Sequence, residues 1–137
     1  MSIAEFFRKY PFIIREWSAK MGMNRQWLEQ LGRKPLSPHY KRINQDYIND
    51  FKNNIANELQ HVTINPDNMK QVIDQLRPRF GISTAAVAAN LGKTRYWIRY
   101  AANTAADTRI CNQNCANIQS YLRRLAAEIS QVNITLK

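Results

Sequence analysis

The feature that most constrains this chain is an internal repeat. Shifting the sequence by 70 lays residues 2–67 on residues 72–137 without a gap, and eleven positions coincide. They are Ile3/Ile73, Ala19/Ala89, Gly22/Gly92, Arg25/Arg95, Trp27/Trp97, Asn44/Asn114, Ile48/Ile118, Ala56/Ala126, Glu58/Glu128, Val62/Val132 and Ile64/Ile134. Residue frequencies alone give roughly four coincidences over such a length. The kind of match weighs more than the count, because a rare Trp and a Gly are among the identities. Apolar character is also kept at Phe6/Leu76, Tyr10/Phe80, Phe12/Ile82, Met21/Leu91, Leu28/Ile98, Phe51/Tyr121, Ile55/Leu125 and Leu59/Ile129. The expected organisation is two copies of one small unit, residues 1–64 and 65–137, joined near Ile64 to Pro66.

Each unit reads as helices. In the second, Asn65-Pro66 predicts a helix start, with Asn as cap and Pro at the first helical position, and Met69, Val72, Ile73 and Leu76 follow at helical spacing. Pro78 is expected to end that helix. Ser83-Thr84 offers the next cap, for a helix through Ala85 to Asn90, and Gly92 stands where a left-handed turn residue is wanted. A third helix is predicted from about Thr94 to Ala102. A long last one carries Ile118, Tyr121, Leu122, Leu125 and Ile129 on one face. The first unit matches with Ile3 and Phe6, Phe12 to Lys20, Asn24 to Leu31 and Tyr47 to Leu59. Gly32 to Ile43 and its counterpart Asn103 to Gln113 read as irregular. Short strand signals are confined to Val62-Thr63-Ile64 and Val132-Asn133-Ile134.

The middle of each unit carries the functional pattern. A small residue (Ser18, Ala88) is followed three positions later by an apolar one (Met21, Leu91) and at once by glycine (Gly22, Gly92). Apolar anchors then recur at Leu28 and Leu31, and at Ile98 and Ala101. Two helices crossing steeply over a short turn need a small side chain where they touch, a glycine for the positive φ, and apolar anchors on the second helix. Over about 20 residues per copy the chain resembles the phage-repressor and Cro-like helix-turn-helix families. The resemblance implies an all-α fold of two tandem helix-turn-helix domains and double-stranded DNA as partner. It also implies that the second helix of each pair reads base edges. Carried onto this sequence, that points to Asn24, Arg25, Gln26 and Gln30, and to Thr94, Arg95, Tyr96 and Tyr100. Arg donates two parallel bonds to guanine O6 and N7, and Gln has the matching geometry for adenine. Since the copies differ at most of these positions, the two half-sites are expected to differ.

Charge agrees with such a partner. Twenty Lys and Arg against ten Asp and Glu give a formal charge of +10, in a chain whose 45% hydrophobic content is enough for a packed core. Arg33, Lys34, Lys41 and Arg42 lie in a stretch without acidic residues, as do Arg77, Arg79, Lys93 and Arg99. These are candidate phosphate contacts, which position a protein without reading sequence; a solvated basic face is the alternative for each. Trp27 and Trp97 are expected to pack at the helix boundary, with stacking on sugar or a thymine methyl as the alternative.

Other classes find little support. Cys111 and Cys115 lack two further ligands for zinc, since His39 and His61 have no close pairing with them, so free thiols are expected and no metal. The carboxylates form no tight cluster for two metal ions, Gly-rich phosphate loops are missing, and no nucleophile has an obvious base. A non-enzyme without cofactor or small-molecule substrate is expected. The longest apolar run, Phe12-Ile13-Ile14, is far below the ~18 residues of a spanning helix, and the N-terminus lacks the order of a signal peptide. The expected setting is therefore cytoplasmic and nucleoid-associated. Sequence-specific transcriptional regulation of the repressor kind is the leading expectation, with homodimerisation through the last helices possible. The alternatives are an accessory factor in recombination, excision or plasmid segregation, an RNA or single-strand binding module using Tyr96, Trp97 and Tyr100, and an adaptor without DNA contact.

Overall fold

The computed structural model describes residues 1–103 and 108–137. Among the described residues the chain forms eight helices: α1 (Ile3–Lys9), α2 (Ile14–Lys20), α3 (Arg25–Leu31), α4 (Pro38–Gln60), α5 (Met69–Phe80), α6 (Thr84–Asn90), α7 (Trp97–Asn103) and α8 (Thr108–Gln131). Short helices of this size are marginal alone, so tertiary packing must hold them. α3 packs on α1 and α2, and α7 packs on α5 and α6. The buried residues Ile3, Phe6, Trp17, Leu28 and Leu31 fill the first group, and Ile73, Leu76, Val87, Ile98 and Ala101 fill the second. One contiguous buried cluster includes both groups and the long helices. No helix of the described residues is long and apolar enough to cross a membrane.

The two long helices form the centre. α4 buries Ile48, Ile55, Ala56 and Leu59, α8 buries Ile118, Leu122, Leu125, Ala126 and Ile129, and the two stripes face each other within the one chain. Each large apolar side chain so covered stabilises the fold by about 1.5–3 kcal/mol. The direction is antiparallel, because partners descend on one side as they climb on the other: Asn49 bonds Ile134, Lys52 bonds Ile129, Val62 bonds Arg123 and Ile64 bonds Gln119.

Two pairs of the cross-connections between the halves are reciprocal. The Ile13 amide donates to Gly81 O at 2.8 Å, and the Ser83 amide donates to Pro11 O at 2.8 Å. Ile64 N–H donates to Gln119 Oε1 at 2.7 Å, and Ile134 N–H donates to Asn49 Oδ1 at 2.9 Å. In each case the second bond is the first with 70 added to one residue and taken from the other. That exchange is the signature of a two-fold, isologous contact rather than a simple translation. Phe12 and Ile82, themselves 70 apart, meet in an isolated antiparallel bridge.

The symmetry is broken in the side chains. The first half packs Trp17 against Phe12, Phe51, Phe6 and Phe7 with ring centroids 4.6, 4.9, 5.4 and 5.5 Å away. Its Nε1–H reaches across to Phe80 O at 3.0 Å. The corresponding position in the second half is Val87, also fully buried. Gly81 makes room for the larger ring: its φ is +63°, and a Cβ there would stand 2.5 Å from Trp17 Cδ1. A second asymmetry is Lys52, 1% exposed, whose ammonium donates to Ile129 O at 2.6 Å and Asn53 Oδ1 at 2.9 Å. Burial lowers its pKa from the ordinary lysine value. Leu122 stands at the corresponding position of α8.

Several sequence expectations are corrected. Pro78 lies inside α5; it has no N–H for the Asp74 carbonyl, and the helix runs only two residues further, to Phe80, before left-handed Gly81. Asn65 and Pro66 do not start α5, which begins at Met69; Asn65 Oδ1 instead accepts from the amides of Asp67 and Asn68 in a preceding turn. α2 begins at Ile14, because Phe12 is drawn into the bridge. α4 begins at Pro38, with proline at the first helical position, so only Gly32–Ser37 of the expected irregular stretch lies outside a helix. α8 begins at Thr108; residues 104–107 of the counterpart stretch lie outside the described residues. The segments expected as strands pair with no strand among the described residues, their Ile64 and Ile134 amides being bound by side chains instead.

Candidate nucleic-acid interface

The turn before α3 and the turn before α7 are built alike. Gly22 and Gly92 have φ of +70° and +72°, the conformation glycine adopts without the Cβ penalty. Gly22 N–H donates to Ala19 O and Gly92 N–H to Ala89 O; Met23 N–H donates to Ser18 O and Lys93 N–H to Ala88 O, both at 2.8 Å. Ser18 and Ala88, the small residues of the pattern, are buried at these contacts, and Leu28, Leu31, Ile98 and Ala101 are buried behind the second helices. Tyr47 fixes the first turn further, its hydroxyl donating to Met21 O at 2.8 Å.

Beyond the turns the two halves diverge. On the first side Asn24 caps α3, with Oδ1 accepting from Gln26 N–H at 2.8 Å, so α3 begins at Arg25. That bond engages the Asn24 side-chain carbonyl, and the residue is exposed. Arg25, Gln26 and Gln30 are exposed, and Arg25 Nε–H donates to Glu29 Oε1 at 3.1 Å. On the second side α7 begins only at Trp97, three residues later than Thr94. Thr94 is exposed, and Arg95 and Tyr96 lie in a turn bridged by the Trp97 amide to Thr94 O at 3.0 Å. Arg95 lies 4.7 Å over the Tyr96 ring and donates to its hydroxyl. Tyr96 and Tyr100 are 66% and 71% exposed.

No family model matches the chain, and neither a curated protein nor a solved structure resembles it at a significant level.

The two tryptophans part company. Trp97 is half-buried against the core with Lys93 Nζ 5.7 Å over its ring, in keeping with packing at the helix boundary, whereas Trp27 is 45% exposed. Near Trp27 in sequence, Tyr40, Ile43 and Tyr47 form an exposed apolar row at helical spacing on the first turns of α4. Among the described residues, every large apolar side chain that is strongly exposed belongs to α3, to the start of α4, to residues 96–100 around α7, or to Ile110 at the start of α8. The row on α4 is a candidate contact face, whereas exposed apolar residues standing singly are ordinary.

The candidate phosphate contacts divide likewise. Arg33 and Lys34 are exposed on the connection to α4, and Arg42 is exposed and Lys41 half-buried in its first turns. Lys93 and Arg99 are exposed around α7. Arg79 is exposed and lies 4.8 Å over the Phe80 ring. Arg77 is held differently: its Nε–H donates to Glu16 at 3.0 Å across the α2–α5 contact, beside a hydrogen bond from Lys20 to Pro78 O. Sequence reasoning missed that role, because Glu16 and Arg77 are brought together only by the two-fold packing. Cys111 and Cys115 are buried free thiols; burial, and the neighbouring Cys111, push the Cys115 thiol up to about 11. Among the described residues no group of three or more His, Cys, Asp or Glu is placed to hold a metal.

Proposed function

We propose that the protein is a sequence-specific double-stranded DNA-binding protein, a repressor-type transcriptional regulator in which tandem helix-turn-helix units of one chain read a two-part site. The observation that carries this reading is the pair of glycine turns with equivalent hydrogen bonds, each followed by exposed Arg and amide or phenol side chains, in halves joined reciprocally. Single-unit repressors need a dimer to place two reading helices about 34 Å apart. Here the stripes of α4 and α8 are already covered by each other, so one chain is the binding unit and self-association through those helices is not required. Arg25, Gln26 and Gln30 read one half-site and Arg95, Tyr96 and Tyr100 the other, with Asn24 at the entry of α3 and Thr94 opening the turn before α7. Arg33, Lys34, Lys41, Arg42, Lys93 and Arg99 contact phosphates.

Selection of bound duplexes from a random library, at about physiological salt, tests this with wild-type, Arg25→Ala and Arg95→Ala proteins. The expected result is a motif of two unlike parts, each substitution relaxing one part. Binding without an enriched motif, vanishing with salt, rejects sequence reading. The same contacts serve an accessory factor that shapes DNA, for which bending of the selected site in a gel-mobility series is the distinguishing result. A single-strand reading is favoured by one observation, the exposure of Tyr96 and Tyr100 beside Lys93 and Arg95, since bases stack on such rings without sequence preference. Single strands outcompeting duplex would establish it.

A further inference from the structure

We infer that Glu29 is a positioning residue that makes Arg25 discriminate between bases in the first half-site; this rests on the duplex-reading function proposed above. Arg25 and Glu29 lie one turn apart on α3, with Arg25 Nε–H bonded to Glu29 Oε1 at 3.1 Å. A guanidinium is planar and presents its five N–H groups in fixed directions. Holding Nε–H therefore fixes the plane and turns the terminal Nη groups outward as a pair, the edge that matches guanine O6 and N7. The Arg25 side chain is 55% exposed and that of Glu29 32%, so the guanidinium side is the more open to solvent.

Glu29 has a second effect. Its charge offsets that of Arg25 and opposes phosphates, so it weakens sequence-independent binding while leaving a correctly placed guanine able to bond. The second half holds Arg95 by other means, the Tyr96 ring and hydroxyl, and has Arg99 at the position corresponding to Glu29. Discrimination through a carboxylate is thus confined to the part of the site under α3. An exposed pair of this kind contributes little to stability, so its removal leaves α3 folded.

The test repeats the duplex selection with Glu29→Ala and Glu29→Gln proteins, then titrates the selected duplex, a duplex with the guanine under Arg25 changed, and an unrelated duplex at two salt concentrations. The expected result for Glu29→Ala is about a tenfold loss of discrimination at that guanine. It should come with severalfold tighter binding to the unrelated duplex at low salt. Glu29→Gln, which keeps an acceptor and loses the charge, should gain the same sequence-independent affinity and keep most of the discrimination. An unchanged preference in Glu29→Ala, with a clear wild-type motif, overturns the role of Glu29 alone. A parallel loss of affinity for all duplexes also overturns it, since that is what a merely structural role produces. If wild-type protein enriches no motif, duplex reading falls and this inference falls with it.

Discussion

The two halves of the chain bury their cores with different materials. The first uses Trp17 within a ring cluster of Phe6, Phe7, Phe12 and Phe51, and the second uses Val87 with Leu76 and Ile82 at the corresponding places. Two of the backbone hydrogen bonds that join them, Ile13 to Gly81 and Ser83 to Pro11, are nevertheless reciprocal. The difference teaches that the connecting geometry is set by main chain and by a few small residues, while bulk is moved from one half to the other. Gly81 is the clearest instance: a Cβ there would meet Trp17, and the residue 70 positions before it is Pro11.

The sharpest way to break that comparison is Gly81→Ala. The added Cβ would meet Trp17 Cδ1 at 2.5 Å in a backbone of φ +63°, and the cost should be about 3–5 kcal/mol in urea unfolding. Trp17→Val alone should cost about 3 kcal/mol through lost volume. Combined with Gly81→Ala it should cost less than the sum, because the clash is gone. Additivity would show that the two positions are not coupled.

Lys52→Leu makes the first half more like the second, where Leu122 stands. Replacing a buried ammonium by a side chain of similar volume should stabilise by about 1–2 kcal/mol in the same assay, even though two hydrogen bonds are lost. The pH dependence gives an independent check. Lys52 releases its proton more readily folded than unfolded, so between its lowered pKa and 10.5 the unfolded chain binds more protons. Wild-type stability should therefore rise relative to Lys52→Leu as pH climbs through that window, and a falling difference would show that the folded state favours the charged form.

Smaller effects probe the turns. Asn24→Ala removes the Gln26 amide's acceptor and should cost about 1 kcal/mol. Gly22→Ala and Gly92→Ala meet open space, so only the positive φ opposes them, and each should cost about 1–2 kcal/mol with the two values agreeing to within about 0.5. Unequal costs would mean that the turns, alike in hydrogen bonding, are loaded differently.

These turns are the most legible part of the sequence. A glycine at positive φ between a small buried residue and two apolar anchors is a local requirement, so spacing alone places Gly22, Gly92, Ser18 and Ala88, and the Ser83 cap is equally plain. The late start of α7 is not legible, because Thr94, Arg95 and Tyr96 have ordinary helical propensities and the turn is set by the Thr94 carbonyl and the Arg95–Tyr96 contact. The reciprocal joining is hidden as well, since pairing across 70 residues leaves no periodic trace. Lys52 does leave one: it sits in step with Ile48, Ile55 and Leu59, opposite Leu122 in the shifted alignment, which marks a lysine on a buried stripe. In the candidate interface, the repeat points to Arg25 and Arg95 alike, yet their neighbours Glu29 and Tyr96 hold them in different ways.

Reciprocal contact inside one chain also changes what a mutation does. In an assembly of two identical subunits every substitution is made twice and must be accommodated in both places at once, so a tryptophan at position 17 would have needed room on each side of the axis. Here it needed room once, at Gly81. The linkage thus lets each half vary separately while the other keeps its shape and the joint between them is kept.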